Sequence, residues 1–391
     1  MRVEPAQRTV GIREYYFSLK LKQIDRMRES GIDVINLGIG SPDQAPSGNT
    51  VKRLCEAAND PSGHGYQSYR GIPALREAFS GWYKTYFKVN LDPENEILPL
   101  MGSKEGIMHI SMAFVNPGDE VLVPDPGYPT YSSVSTLAGG IVRYYSLEEK
   151  NGYLPDFDKL EENDLSRVKL MWVNYPHMPT GTNGSAALFE KIVSFAIRHG
   201  ILVCNDNPYS FILNNDYNSL LAADGAKETA LEMNSLSKSH NMAGWRIGMV
   251  AGHREYINEI LKVKSNMDSG MFRAIQLAAV EALGNPPSWY GEINKVYRKR
   301  RTIAEKIMEI LKCSYNKNQT GLFVWGRIPE EIGSCEDFVE DILNNAHVFI
   351  TPGFIFGRAG ERYIRISLCA DEKVLQDARS RIKSYLDGRK Y

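Results

Sequence analysis

Three polar side chains recur at equal intervals in the middle of the chain, and their spacing constrains the fold more than any other feature. Asn174, Asp206 and Lys238 stand 32 residues apart, about the length of one strand–helix–strand unit. Each follows a short apolar run: Lys169 to Val173, Ile201 to Cys204, and Thr229 to Met233. From about Ile97 onward strand, turn and helix alternate. This predicts an α/β fold with a mostly parallel central sheet, whose carboxyl strand ends are where ligands bind.

The earlier strands extend the pattern. A strand over Ile97 to Met101 leads into Gly102-Ser103-Lys104-Glu105 and a helix to Val115. Ser103 and Lys104 thus sit at a helix N-terminus, where unpaired amides and the helix dipole favour a phosphate. A strand over Val121 to Val123 runs out into Pro124-Asp125-Pro126-Gly127-Tyr128-Pro129, and a helix is expected over Ala186 to His199. Toward the N-terminus, Arg13 to Ser30 reads as an amphipathic helix with Tyr16, Leu19, Ile24 and Met27 near one face. A strand over Asp33 to Leu37 then enters Gly38-Ile39-Gly40-Ser41-Pro42-Asp43, where backbone can approach a ligand closely. The loop His64 to Pro73 is dense in glycine and tyrosine, which suits packing, an interface or a site.

Beyond Pro286 the texture changes. A long charged helix to Cys313 precedes strands at Gly321 to Trp325, His347 to Ile350 and Tyr363 to Ser367. Helices are expected over Glu336 to Asn345 and Glu372 to Leu386, the last burying a stripe of Val374, Leu375, Ala378, Ile382 and Tyr385. Two domains follow: a large one over 46–285, and a smaller α+β one built from 1–45 and 286–391.

A net charge of −1 offers no field for nucleic acid or an anionic membrane. Arg298-Lys299-Arg300-Arg301 reads as a solvated helix face. No stretch is apolar enough to span a bilayer or serve as a signal peptide. The five cysteines lack CxxC spacing or neighbouring histidines, which argues for reduced thiols in a cytoplasmic protein and against a metal site.

A lysine at a strand end among hydroxyls, as in Ser235-Leu236-Ser237-Lys238, is by itself an ordinary surface lysine. Together with a nearby carboxylate and phosphate donors it describes the site of pyridoxal 5′-phosphate. The lysine forms a Schiff base with the cofactor's aldehyde, and a carboxylate keeps the ring nitrogen protonated. Lys238 and Asp206 fit these two roles. Asn174 and Tyr209 can donate to the ring's phenolate oxygen. Arg246, Ser235 and Ser237 can hold the phosphate, and Tyr128 can stack on the ring. Arg365, inside the apolar run Tyr363 to Ser367, needs an anion. That anion is either an internal acid or a substrate α-carboxylate, and the geometry of bidentate pairing favours the second.

These blocks resemble the class I/II aminotransferases of the fold-type-I pyridoxal-phosphate enzymes. Ser235 to Gly248 is similar to the family's S-x-S-K…GWR-x-G signature, supported by Asn174 with Pro179-Thr180-Gly181 and Asp206 with Pro208-Tyr209. The motifs around Gly102 and Pro124 look most like the alanine and LL-diaminopimelate aminotransferase subgroup. The resemblance implies Lys238 as Schiff-base lysine, Asp206 as ring partner and Arg365 as carboxylate clamp. It implies a homodimer in which Tyr66 reaches the neighbour's phosphate and Asn266 approaches the partner's site, with Tyr15 and Gly40 lining the substrate entrance. His177-Met178 departs from the family's usual Asn-Asn. The segment Asp268-Ser269-Gly270 itself holds no arginine for a distal carboxylate, and Lys264 stands four residues before it. The implied reaction is ping-pong transfer of an amino group from an L-amino acid to a 2-oxo acid. A β-lyase on the same scaffold is the nearest rival, and a non-catalytic cofactor-binding regulator a more distant one.

Overall fold

A computed structural model of the protein describes residues 3–10, 12, 14 and 16–388. Seven strands form the central sheet. Their spatial order is Ile97–Leu100, Gly248–Gly252, Ala230–Ser235, Leu202–Asp206, Val168–Val173, Glu120–Asp125 and Ile141–Ser146. All run parallel except Gly248–Gly252, which is antiparallel to both neighbours.

Apart from the largely exposed edge strand Ile141–Ser146, the strands are buried on both faces, as parallel sheets require when helices cover each side. Alternate residues supply the two cores. Leu122, Met171, Val173, Val203 and Met249 join a core with Leu75, Phe79 and Trp82 of the Pro73–Phe87 helix and Phe189 and Ile192 of the Ala186–His199 helix. Val121, Val123, Trp172, Cys204 and Met233 face the other way, against Ile107 and Ile110 of the Ser103–Phe114 helix and Ile257 and Ile260 of the Arg254–Lys264 helix.

Local chemistry sets the ends of these elements. The Ala186–His199 helix begins at Ser185, whose hydroxyl accepts from Leu188 N at 3.2 Å, and stops at Gly200 in the left-handed region. It is the crossover between the strands ending near Asn174 and Asp206. The second 32-residue interval is different: it holds only short turns of helix, Leu220–Ala222 and Ala226–Thr229. Asn and Ser side chains in this stretch bond local backbone instead of leaving it to a helix. Asn214, for example, donates to Ser210 O at 3.0 Å and to Asp216 O at 2.8 Å.

A second, antiparallel sheet joins Thr351–Pro352, Tyr363–Ser367, Phe323–Arg327 and Ser314–Tyr315, while Ile35–Asn36 pairs in parallel with Val348–Phe349. Its core draws Ile35 and Leu37 together with Ile303, Ile307, Val339, Leu375 and Ile382. Two expectations change here. The basic run at 298–301 is not wholly solvated: Arg300 is buried, and its guanidinium donates to both Asp43 oxygens at 2.6 and 2.8 Å. A fork-to-fork pair is what allows the charge to leave water. In the Tyr16–Glu29 helix the inward residues are Phe17, Lys20 and Ile24, while Leu19 is half exposed. Lys20 is drawn inward by Glu340.

Glu232 lies inside the sheet with no exposed surface and accepts four hydrogen bonds, from Tyr83, Ser219 and Asn205 side chains and from Leu220 N, at 2.8–2.9 Å. Burial pushes its carboxyl up, and the four donors pull it back. Glu232→Ala strands those donors and should cost about 3 kcal/mol in thermal or urea unfolding. A loss below about 1 kcal/mol would show that the network is not structural.

Candidate active site

The register of the central sheet brings the spaced polar residues together. Val173 pairs with Asn205, so Asn174 lies level with Asp206, and Asp206 pairs with Met233 on the strand that leads to Lys238. That strand closes in a single turn of helix, Leu236–Ser239, which carries Lys238 on its wall. The next strand starts only at Gly248, after a tight turn over Ala243–Trp245 and Arg246 in the left-handed region (φ 57°). A cavity of about 300 Å³ opens over these strand ends. Gly40, Ser103, Lys104, Tyr128, Asn174, Asp206, Tyr209, Ser235, Ser237, Lys238, Arg246 and Arg365 all line it.

Asp206 is buried, with one oxygen accepting from Tyr131 OH at 3.0 Å and the other, Oδ1, without a hydrogen bond. Burial pushes its carboxyl up to about 6, offset by the Tyr131 and Ser103 hydroxyls and the Lys238 charge. The Ser103 hydroxyl is near enough to stabilise the carboxylate but lies outside hydrogen-bond geometry, and it too is buried without a hydrogen bond. An orphaned carboxylate oxygen on the cavity floor fits a cationic N–H donor from a ligand. The Lys238 amine is held below its ordinary range mainly by burial, opposed by Cys369 and Asp206 and reinforced by Arg365 and Arg246. Its Nζ donates to Gly40 O at 2.5 Å.

The phosphate-type donors gather at the other end. Arg246 donates to Ala243 O at 3.0 Å and Met101 O at 3.3 Å, which lays its guanidinium against Gly102. A side chain at Gly102 is impossible there: a Cβ would sit 2.4 Å from Arg246 Nη2, and φ is +85°. The Ser103–Phe114 helix begins at this point, with Ser235 and Ser237 hydroxyls 2.8 Å apart beside it. Helix amides, two hydroxyls and a guanidinium make an anion cradle.

At the opposite wall Arg365 is buried, donating to Gly38 O at 2.7 Å and meeting Met178 Sδ at 3.3 Å. Phe323 lies 3.8 Å and Phe356 4.7 Å from its guanidinium carbon, measured to the ring centres, in cation–π contact. Asn174 spends its side chain on backbone: its amide nitrogen donates to Asp206 O and its oxygen accepts from Met178 N at 2.9 Å. Tyr209 is buried, and burial raises its hydroxyl pKa.

Several of the expected residues are not brought into this cavity. Tyr66 is 93% exposed and Asn266 is on the surface, bonded to Lys262 O. Tyr15 lies outside the described residues. Lys264 is buried against Asp268, away from the cavity. His177 packs inward, bonded to Thr180 Oγ1 at 2.8 Å with its pKa lowered to about 3 by burial, while Met178 is the one of that pair that lines the cavity. Tyr131 was not anticipated, nor were Phe17, Phe323 and Phe356. Tyr131 stacks on Trp172 with ring centres 5.2 Å apart, which aims its hydroxyl at Asp206.

The sequence profile of aminotransferase class I and II matches residues 32–382. The chain belongs to the class I and II aminotransferases. It is 41% identical over 386 residues to the LL-diaminopimelate aminotransferase of Oleidesulfovibrio alaskensis, covering 97% of this chain and 98% of that one. It is 39% identical over 382 residues to the enzyme of the same name from Dehalococcoides mccartyi, at 97% and 98% coverage. Among solved structures, apo-BacF from Bacillus subtilis superposes with a TM-score of 0.94 at 35% identity and 98% coverage of both chains. This aminotransferase therefore catalyses transamination, and a lyase finds no support among these relatives. Among the described residues no helix is long and apolar enough to cross a membrane.

The raised carboxyl of Asp206 gives a pH prediction for the ligand-free aminotransferase. Below about pH 4 the group is neutral whether the chain is folded or not. As pH rises toward about 6, the unfolded chain has already released its proton and the folded chain follows at a cost. Stability therefore falls across that window, by up to about 3 kcal/mol. Asp206→Asn removes this cost, so the variant should gain stability over the parent at about pH 8 and lose that gain near pH 4. Unfolding curves at both pH values test this; a difference independent of pH contradicts it.

Proposed function

We propose that this aminotransferase works with pyridoxal 5′-phosphate bound over the strand ends, and that its amino donor is LL-diaminopimelate or a closely similar L-amino acid. The cofactor reading is carried by one observation: a partly neutral-prone lysine, a carboxylate with an orphaned oxygen and an anion cradle line a single cavity. The donor rests on the names of the relatives, matched over nearly their whole length.

Arg246, Ser235, Ser237, Ser103 and Lys104 hold the phosphate. The Asp206 carboxylate meets the protonated ring nitrogen, which also relieves the charge that burial disfavours. Tyr128 covers the ring face. Tyr209, and the remaining amide hydrogen of Asn174, donate to the phenolate oxygen. When bound, the cofactor supplies an aldehyde for amines and a ring that accepts electron density from the substrate's Cα. Lys238 holds that aldehyde and, once displaced by the substrate amine, moves a proton at Cα as base and then as acid. A lysine below its ordinary pKa range suits both tasks. Arg365 clamps the α-carboxylate, and its contact with the Gly38 carbonyl fixes the guanidinium plane.

The working unit is proposed to be a cytoplasmic homodimer with large (46–285) and small (1–45 with 286–391) domains. Tyr66, Met267 and Phe272 are exposed apolar surface of the kind an interface covers, and all five cysteines are unpaired. Tyr66 and Asn266 are assigned to the partner's site, with Tyr15 and Gly40 at the substrate entrance.

Lys238→Ala should lower turnover by about 10³-fold or more in a coupled assay of glutamate formed from LL-diaminopimelate and 2-oxoglutarate. Phosphate affinity should persist in that variant. Turnover near that of the parent would remove Lys238 from the chemistry. Ammonia and pyruvate released from a cystathionine-type substrate, without glutamate formation from any amino donor, would replace transamination with lyase action.

A further inference from the structure

Outside the cavity, Glu105, His109, Asp268 and Lys264 form a cluster of titratable side chains. The first three present ligand atoms within 4.8 Å of one another. A metal ion is disfavoured there, because the Lys264 ammonium already lies against Asp268. His109 is buried, with Nε2 3.1 Å from Glu105 Oε1. Lys264 is 1% exposed, and an ammonium is withdrawn from water this far only where a carboxylate compensates it.

The contacts on the cavity side of this cluster say what it is for. Glu105 Oε2 accepts from Met101 N at 2.5 Å, and the carbonyl of the same residue accepts from Arg246 Nη2 at 3.3 Å. Met101 is thus gripped from both sides, and Gly102 and Ser103, the start of the anion cradle, follow it directly. On the far side, Asp268 Oδ1 accepts from Gly270 N at 3.0 Å. Gly270 has φ +81°, and a Cβ there would lie 2.5 Å from Gln67 O, so this turn abuts the residue next to Tyr66.

Glu105 and Asp268 carboxylate oxygens lie within 4.8 Å of each other, and the Lys264 ammonium against Asp268 offsets their mutual repulsion. We propose that Lys264, Asp268 and Glu105 thereby form a positioning relay that fixes Met101 and, through it, the Arg246 guanidinium that clamps the phosphate. The inference rests on the phosphate reading given above. One buried lysine thereby braces both the cradle of its own site and the loop that offers Tyr66 to the partner's. None of the three lines the cavity; they are positioning residues. Their effect is on where a guanidinium and a helix start are held, and a cradle loosened in this way loses phosphate affinity without losing the fold.

The test titrates the full-length apo protein with pyridoxal 5′-phosphate, and separately with inorganic phosphate, alongside its thermal unfolding curve. Lys264→Met and Glu105→Ala should each weaken cofactor affinity about tenfold, with inorganic phosphate affinity falling in parallel. Glu105→Gln, which keeps an oxygen for Met101 N, should stay within about threefold of the parent. KM for the amino donor at saturating cofactor should not move. Arg246→Ala separates the two levels of the argument. If it weakens phosphate binding while folded Lys264→Met and Glu105→Ala bind like the parent, the relay is overturned and the phosphate site stands. If Arg246→Ala itself binds like the parent, the phosphate assignment fails. Should Lys264→Met not fold, the contrast between Glu105→Ala and Glu105→Gln decides: equal affinities overturn the relay.

Discussion

A carboxylate and an amine are drawn out of water at neighbouring strand ends, and the remainder of the structure serves that pair. Burial works against charge on both Asp206 and Lys238, raising one pKa and lowering the other. The sheet supplies the rigidity that keeps them there. Its register levels Asn174 with Asp206, and Asn174 ties the two strand ends by bonding Asp206 O and Met178 N. Tyr131, clamped on Trp172, holds one Asp206 oxygen and leaves the other unmet. An unmet buried acceptor destabilises the bare chain and favours a ligand that satisfies it.

The segment Gly38 to Asp43 connects this pair to the second sheet. Its carbonyls accept from two cations of the cavity, Gly38 O from Arg365 and Gly40 O from Lys238. It is held in turn by Ser367, whose hydroxyl donates to Ile39 O at 2.8 Å, and by the Arg300–Asp43 fork. Close approach requires glycine: a Cβ at Gly40 would meet the Phe323 ring at 2.4 Å. The cavity wall around Arg365 is therefore set by contacts between the chain's first 45 residues and its last hundred or so, while the wall around Arg246 and Asp206 depends on the middle.

What was legible in the sequence follows this division. Lys238, Asp206 and Asn174 sit at or just beyond the ends of their own strands, so local apolar runs were enough to find them, whereas Ser103 and Lys104 were marked by a helix start and the placing of Gly40 at the entrance by the family resemblance. Long, strongly patterned elements such as Ala186–His199 and Tyr363–Ser367 fell where periodicity placed them. The aromatic lining around Arg365 did not, because Phe17, Phe323 and Phe356 come from three distant segments and carry no shared local mark. Tyr131 was hidden for a related reason: its role depends on stacking against Trp172, forty-one residues on. The basic run at 298–301 misled because a charged helix face looks solvated until a remote partner such as Asp43 is brought to it. The antiparallel Gly248–Gly252 strand has the same apolar composition as its parallel neighbours, and only the tight turn after Lys238 reverses it.

The central claim is a covalent one, that the amine of Lys238 carries the cofactor aldehyde. Its most direct test is borohydride reduction of the protein reconstituted with pyridoxal 5′-phosphate, followed by peptide mapping by mass spectrometry. The account predicts a stoichiometric phosphopyridoxyl adduct on the peptide containing Lys238, sharply reduced when Asp206 or Arg246 is replaced. An adduct spread over surface lysines, or a Lys238 peptide recovered unmodified, would contradict it.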